Sequence, residues 1–184
     1  MVNAPNLFTL LRLALAPVVA VDIVHSRWTR ALIVLFIAGL TDGIDGFLAR
    51  RLGQPTRVGA YFDPIADKIL LVAIYVALGM VRAIPLWMVA LVFGRDLLIL
   101  GMAGYGLAFT SIRKFPPSVW GKISTFFQIA AALAVMSDRD GFPVPVRLAL
   151  GLMVVATAWS GIHYAWTGVR VLRRWRIDGR APAG

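Results

Sequence analysis

The sequence predicts an all-α integral membrane protein, one domain of six transmembrane helices over residues 1–184 with a basic tail at 172–184. Three observations predict it. Hydrophobic residues make up 59% of the chain, only 15% is charged, and the mean hydropathy is +0.78, outside the range of ordinary soluble domains. Apolar runs recur between short stretches of charge, glycine and proline. Acid is spared: nine acidic residues stand against nineteen Lys and Arg, and all nine are Asp.

A transmembrane helix needs about 20 mostly apolar residues. The first stretch, 7–24, has no cationic region before it, is interrupted by Arg12, and carries Pro17 after Ala14-Leu15-Ala16, so it reads as a helix of the mature protein rather than a signal peptide. His25 to Arg27 separates it from 28–48, and Gly53-Gln54-Pro55 precedes 62–80. Arg82 marks the break before 85–109, Phe115-Pro116-Pro117 the break before 119–136, and Asp138 to Pro145 the break before 144–171. Nothing alternates like a barrel strand, and a helix satisfies its own backbone in lipid.

The formal charge of +10 does not point to nucleic acid, because the basic residues lie between apolar runs rather than on one patch. The lipid bilayer, anionic lipid in particular, is the expected partner. With a cytoplasmic N-terminus, eleven cations, among them Arg50, Arg113, Lys114, Lys122 and Arg170, fall on the cytoplasmic side and five, including Arg27 and Arg82, on the other. This satisfies the positive-inside rule and turns the cytoplasmic ends of the second and third helices toward soluble substrates. In a bacterium the membrane would be the inner one. With no Cys in the chain, a metal must be held by oxygen or imidazole.

Four of the nine Asp lie within 26 residues: Asp42, Asp45, Asp63 and Asp67. An unpaired charge in such sequence costs ~3 kcal/mol on insertion scales. Asp42 and Asp45 are three apart and Asp63 and Asp67 four apart, so each pair shares a helix face, and the short connection makes the two helices antiparallel neighbours. Four converging carboxylates require cations, and oxygen-only ligands favour two divalent ions, Mg²⁺ or Mn²⁺. Such a pair suits displacement at phosphorus. Gly46 and Ala49 leave room on the face of Asp42 and Asp45, and Arg50, one turn beyond Gly46, can fork onto phosphate. Gly59 allows a tight start to the third helix, and Pro64 fits its first turn. Helix caps and surface charges would explain one Asp, for instance Asp63, but not four in a chain that otherwise avoids acid.

These residues resemble the signature of the CDP-alcohol phosphatidyltransferases, D-x2-D-G-x2-A-R-x8-G-x3-D-x3-D, which Asp42, Asp45, Gly46, Ala49, Arg50, Gly59, Asp63 and Asp67 fill without departure. The resemblance implies a six-helix, homodimeric enzyme that moves a phosphatidyl or related group from a CDP-linked donor to an alcohol and releases CMP. It implies that Asp42, Asp45 and Asp63 bind the metals and that Asp67 is the general base and a further metal ligand. Gly46, Ala49 and Arg50, with Asp42 and Gly59, belong to the site for the CDP donor, CDP-diacylglycerol.

The likeness runs over residues 4 to 165. Pro5-Asn6-Leu7-Phe8-Thr9-Leu10-Leu11-Arg12 is similar to the opening of both the phosphatidylglycerophosphate synthases and the eukaryotic-type cardiolipin synthases. Ala38 to Asp42, Asp63 to Leu70, Ile84-Pro85 and Arg95-Asp96 are closer to the cardiolipin branch, and Pro117-Ser118 with Gly121-Lys122-Ile123-Ser124-Thr125 and Gln128 resembles its pattern, of which the Gly-Lys-x-x-Thr-x-x-Gln part is shared with the other branch. The resemblance therefore favours phosphatidylglycerol as acceptor, giving cardiolipin, with glycerol 3-phosphate second. Either acceptor carries a phosphate, for which Arg95, Arg113, Lys114 and Lys122 are candidates. Asp96 faces elsewhere on a helix, so Arg95 requires a different partner in the membrane.

Asn6, Thr9 and Arg12 fit either helix-start chemistry or the rim of the nucleotide site. His25 and His163 have no partner at ligand spacing, and Trp28, Trp87 and Trp120 sit at helix ends as interfacial anchors. Two other classes compete. Membrane prenyltransferases also use Asp-rich helices, but at other spacings and without this Gly, Ala and Arg pattern. A divalent-cation transporter would need an acidic series through the other helices, which the chain lacks.

Overall fold

The computed structural model describes residues 4–39, 59–109, 119–141 and 144–178, and all the regular structure in them is α-helical. The helices are α1 (Ala4–Val24), α2 (Trp28–Gly39 as far as it is described), α3 (Gly59–Met80), α4 (Leu86–Phe109), α5 (Val119–Arg139) and α6 (Val146–Asp178). They fall on the six apolar stretches, with shifted ends. α1 starts at Ala4, so Pro5 occupies its first turn, where a missing N–H costs nothing. α3 starts at Gly59, which moves Pro64 out of the first turn where the sequence placed it. α6 runs to Asp178, because the basic segment after Val171 continues as helix.

Among the described residues two helical segments, Val119–Arg139 and Val146–Arg170, are long and apolar enough to cross a membrane. Outward-facing apolar side chains are not confined to them. Phe36, Met80, Leu86, Leu97, Phe126 and Val155 are all exposed, an area of apolar surface that water would not tolerate and lipid would. Together these features are those of a membrane protein.

The turns after α1, α3 and α5 share one device. Ser26 lies in the left-handed region at φ 57°, the Arg27 N–H reaches the Asp22 carbonyl at 2.8 Å, and the Ser26 N–H reaches that of Ile23 at 2.9 Å. This is the paired bonding of a Schellman cap. Arg82 repeats it at φ 53°, with Ala83 bonded to Leu78 and Arg82 to Gly79. After α5 the left-handed residue is Gly141, at φ 93°, and its N–H reaches the Asp138 carbonyl. Side chains reinforce the first turn: the buried Asp22 carboxylate lies 3.5 Å from Arg30 and 3.8 Å from Arg27.

The chain divides into two compact units, Met1–Leu86 with Ala132–Val144, and Trp87–Ala131 with Pro145–Gly184. In the first, α1 packs along α3. Ala16, Val19 and Ile23 are the buried stripe of α1, and Ala66, Leu70, Ile74 and Leu78 recur at helical spacing on α3. In the second unit the buried residues are largely polar: Arg95 and Asp96 on α4, Ser124 and Gln128 on α5, Thr157 and Ser160 on α6. Small residues bring its helices close, and at Gly168 an added Cβ would fall 1.4 Å from the Met102 methyl.

Candidate functional site

The backbone of α3 carries three of the eight signature positions, Gly59, Asp63 and Asp67. The two Asp are one turn apart, about 6 Å along the axis. Asp42, Asp45, Gly46, Ala49 and Arg50 lie outside the described residues, as do Arg113 and Lys114. Among the described residues no three acidic or imidazole groups gather as a metal site. Asp67 is suited to contribute to one: its side chain is 53% exposed and offers oxygen to a hard cation.

What the structure adds is the neighbour of Asp67. Arg12 lies four residues before Ala16 on the buried stripe of α1, and that register carries it onto α3. Its side chain is 3% exposed, and Nη1 donates to the Asp67 carboxylate across 55 positions of sequence. Burial of a guanidinium demands such a carboxylate, and the pairing keeps Asp67 turned toward α1. Arg12 thus belongs with the signature acid, which helix-start chemistry does not anticipate. The available signal was the position itself, an Arg inside an apolar helix that needs an acidic partner.

Arg95 is placed differently from expectation. Its Nη1 donates to Asp96 Oδ1 at 2.6 Å, so the adjacent acid is its partner after all. A long, flexible Arg side chain can curl back over the angle separating adjacent helical residues, an angle that spacing rules treat as too wide. The further partner that the sequence required also exists, on α6: Ser160 Oγ accepts from Nη2 at 3.0 Å and from Nε at 3.3 Å. Nη2 also reaches the Gly121 carbonyl at 3.4 Å, and the Tyr164 ring centre lies 5.8 Å from the guanidinium carbon. Four of the five Arg95 N–H groups are therefore spent within the protein, and the side chain is only 5% exposed. Lys122, the residue after that carbonyl, is exposed in the first turn of α5.

Below this cluster, Gln128 Nε2 donates to Thr157 Oγ1 at 3.1 Å and to Ser124 Oγ at 3.3 Å, and Ser124 Oγ donates to Thr157 at 3.2 Å. Thr157 and Ser160 escaped the sequence reading. With Met153 they form a buried face at spacings of four and three, a polar stripe on an apolar helix of the kind that joins helices in lipid. His25 remains structural, its Nδ1 lying 2.8 Å from the Val21 carbonyl at the end of α1.

Comparison with known proteins agrees with the signature. The family model described as CDP-alcohol phosphatidyltransferase matches residues 2–164. A Mycobacterium tuberculosis protein named "Probable phosphatidylglycerophosphate synthase" is 32% identical over 91% of this chain and 82% of its own. The Bacillus subtilis CDP-diacylglycerol–glycerol-3-phosphate 3-phosphatidyltransferase is 31% identical over 89% of this chain and 94% of its own. The human cardiolipin synthase (CMP-forming) is 29% identical over 92% of this chain and 64% of its own. With the family model covering most of the chain, the protein belongs to the CDP-alcohol phosphatidyltransferase family and is a transferase of phospholipid synthesis.

Proposed function

We propose that the protein is a six-span, cytoplasm-facing, homodimeric enzyme that transfers the phosphatidyl group of CDP-diacylglycerol to phosphatidylglycerol, forming cardiolipin and CMP. The complete eight-residue signature carries the reading, supported by the Arg12–Asp67 pair. Asp42, Asp45, Asp63 and Asp67 would hold two divalent cations, Mg²⁺ or Mn²⁺, which polarise the phosphoryl oxygens and stabilise the leaving phosphate when bound. Asp67 takes the proton of the acceptor hydroxyl as its oxygen attacks the β-phosphorus and the bond to the CMP oxygen breaks. Arg12 holds that carboxylate in place, and Arg50 forks onto the diphosphate. Lys122, exposed at the start of α5, receives the phosphate of the acceptor together with Arg113 and Lys114.

Glycerol 3-phosphate is the second reading, favoured by the relatives from M. tuberculosis and B. subtilis, both named for that product or acceptor. The match to a transferase family leaves the transporter alternative without support. The deciding experiment incubates purified protein with CDP-diacylglycerol, Mg²⁺ or Mn²⁺, and either acceptor, and identifies the lipid formed. Cardiolipin is expected. Phosphatidylglycerophosphate would replace the acceptor assignment, and absence of CMP with both acceptors would sink the reading.

A further inference from the structure

We propose that Arg95, held by Ser160, Asp96 and Tyr164, is a positioning residue that fixes the first turn of α5, and with it Lys122, for the phosphate of the acceptor. The inference rests on the reading of Lys122 as an acceptor-phosphate residue. The sequence alone makes Arg95 a ligand for that phosphate, but a ligand needs donors to offer. Arg95 has committed four of its five N–H groups and is almost fully buried. Its donors instead join three helices: Asp96 on its own α4, the Gly121 carbonyl on α5, and Ser160 on α6.

Gly121 is built for that approach. A Cβ there would meet Tyr164 Oη at 3.0 Å and Arg95 Nη2 at 3.1 Å, so a larger residue would push the guanidinium and the phenol back from the helix start by a few tenths of an ångström. The next residue is Lys122. A lysine acts on phosphate as a point charge on a flexible stem, so the backbone from which it projects decides how often it is in place. The polar seam from Ser124, Gln128 and Thr157 fastens α5 to α6 one and two turns further along, leaving the Arg95 cluster to control the end itself.

A double-mutant cycle on the purified full chain tests this, with Ser160→Ala, Lys122→Gln and the pair assayed against CDP-diacylglycerol and each acceptor in turn. Ser160→Ala is expected to raise the acceptor KM about tenfold, the effect of one hydrogen bond to a charged group, and to leave the KM for CDP-diacylglycerol unchanged. In the Lys122→Gln background it should add nothing. Full additivity of the two would overturn the proposal by showing that Arg95 acts on the acceptor without Lys122. So would a fall in thermal stability or kcat with no change in acceptor KM, the mark of a purely structural cluster. An unchanged acceptor KM in Lys122→Gln would instead reject the Lys122 reading, and the proposal with it. If Ser160→Ala does not fold, Gly121→Ala makes the same cycle from the α5 side, with the same expected and overturning results.

Discussion

The two units of the chain solve the burial of charge in opposite ways. In the α1–α3 unit the interior is mostly apolar, Val19 and Ile23 lying in register with Ala16; Asp22 is buried beside Arg27 and Arg30 at the end of α1, and a long-range ion pair joins a buried Arg12 to a half-exposed Asp67. In the α4–α6 unit the interior is itself polar, and four of the five Arg95 N–H groups, the Ser124 hydroxyl and the Gln128 amide find acceptors on the same or a neighbouring helix. In lipid, apolar faces give helices little reason to associate, so polar contacts and close packing supply the adhesion. The first unit leaves one member of its long-range pair, Asp67, at the surface, where it is available for chemistry. The second keeps its charge inside, where it holds helices.

That contrast is breakable by substitution. Asp67→Asn should give the largest effect, a loss of CMP release of at least about a hundredfold with saturating metal and acceptor, since a general base contributes that much or more. Near-normal turnover would remove Asp67 from the base role. Arg12→Met should cost about tenfold in turnover through a misplaced carboxylate, yet should not lower the melting temperature, because an apolar side chain of similar length replaces a buried charge. Parallel loss of activity and stability would make the pair a structural bolt and erase the difference between the units. In the second unit the reverse holds. Gln128→Leu should cost roughly 1–2 kcal/mol in unfolding titrations, the range for interhelical hydrogen bonds in bilayers, and leave turnover intact. The smallest effect concerns neither interior: Ser26→Gly should raise stability by up to about 1 kcal/mol, because glycine adopts the left-handed conformation without penalty. A loss there would mean that the Ser26 side chain contributes something the backbone does not reveal.

The helices were legible because apolar length and punctuation are local properties, and their ends shifted where local rules are weakest. α5 runs past Met136 to Arg139 because nothing at Ser137 or Asp138 forbids it, and the helix stops only near the left-handed Gly141. The signature was legible as a pattern of spacings. The partner of Asp67 was not, because 55 residues separate it from Arg12 and only the packing of α1 on α3 brings them together. Arg95 misled for another reason: spacing rules describe where Cβ atoms point, and a long side chain can turn back on its neighbour.

The three capped turns bear on how such a chain reaches its membrane. On the six-span reading, the bends after α1, α3 and α5 fall on one side of the bilayer, and the polar cargo carried across is little more than these three bends. Each bend satisfies backbone groups internally, and the first also sets Asp22 against Arg27 and Arg30. A left-handed residue at a helix end therefore does more than stop the helix: it shrinks the polar parcel that must be hauled through lipid.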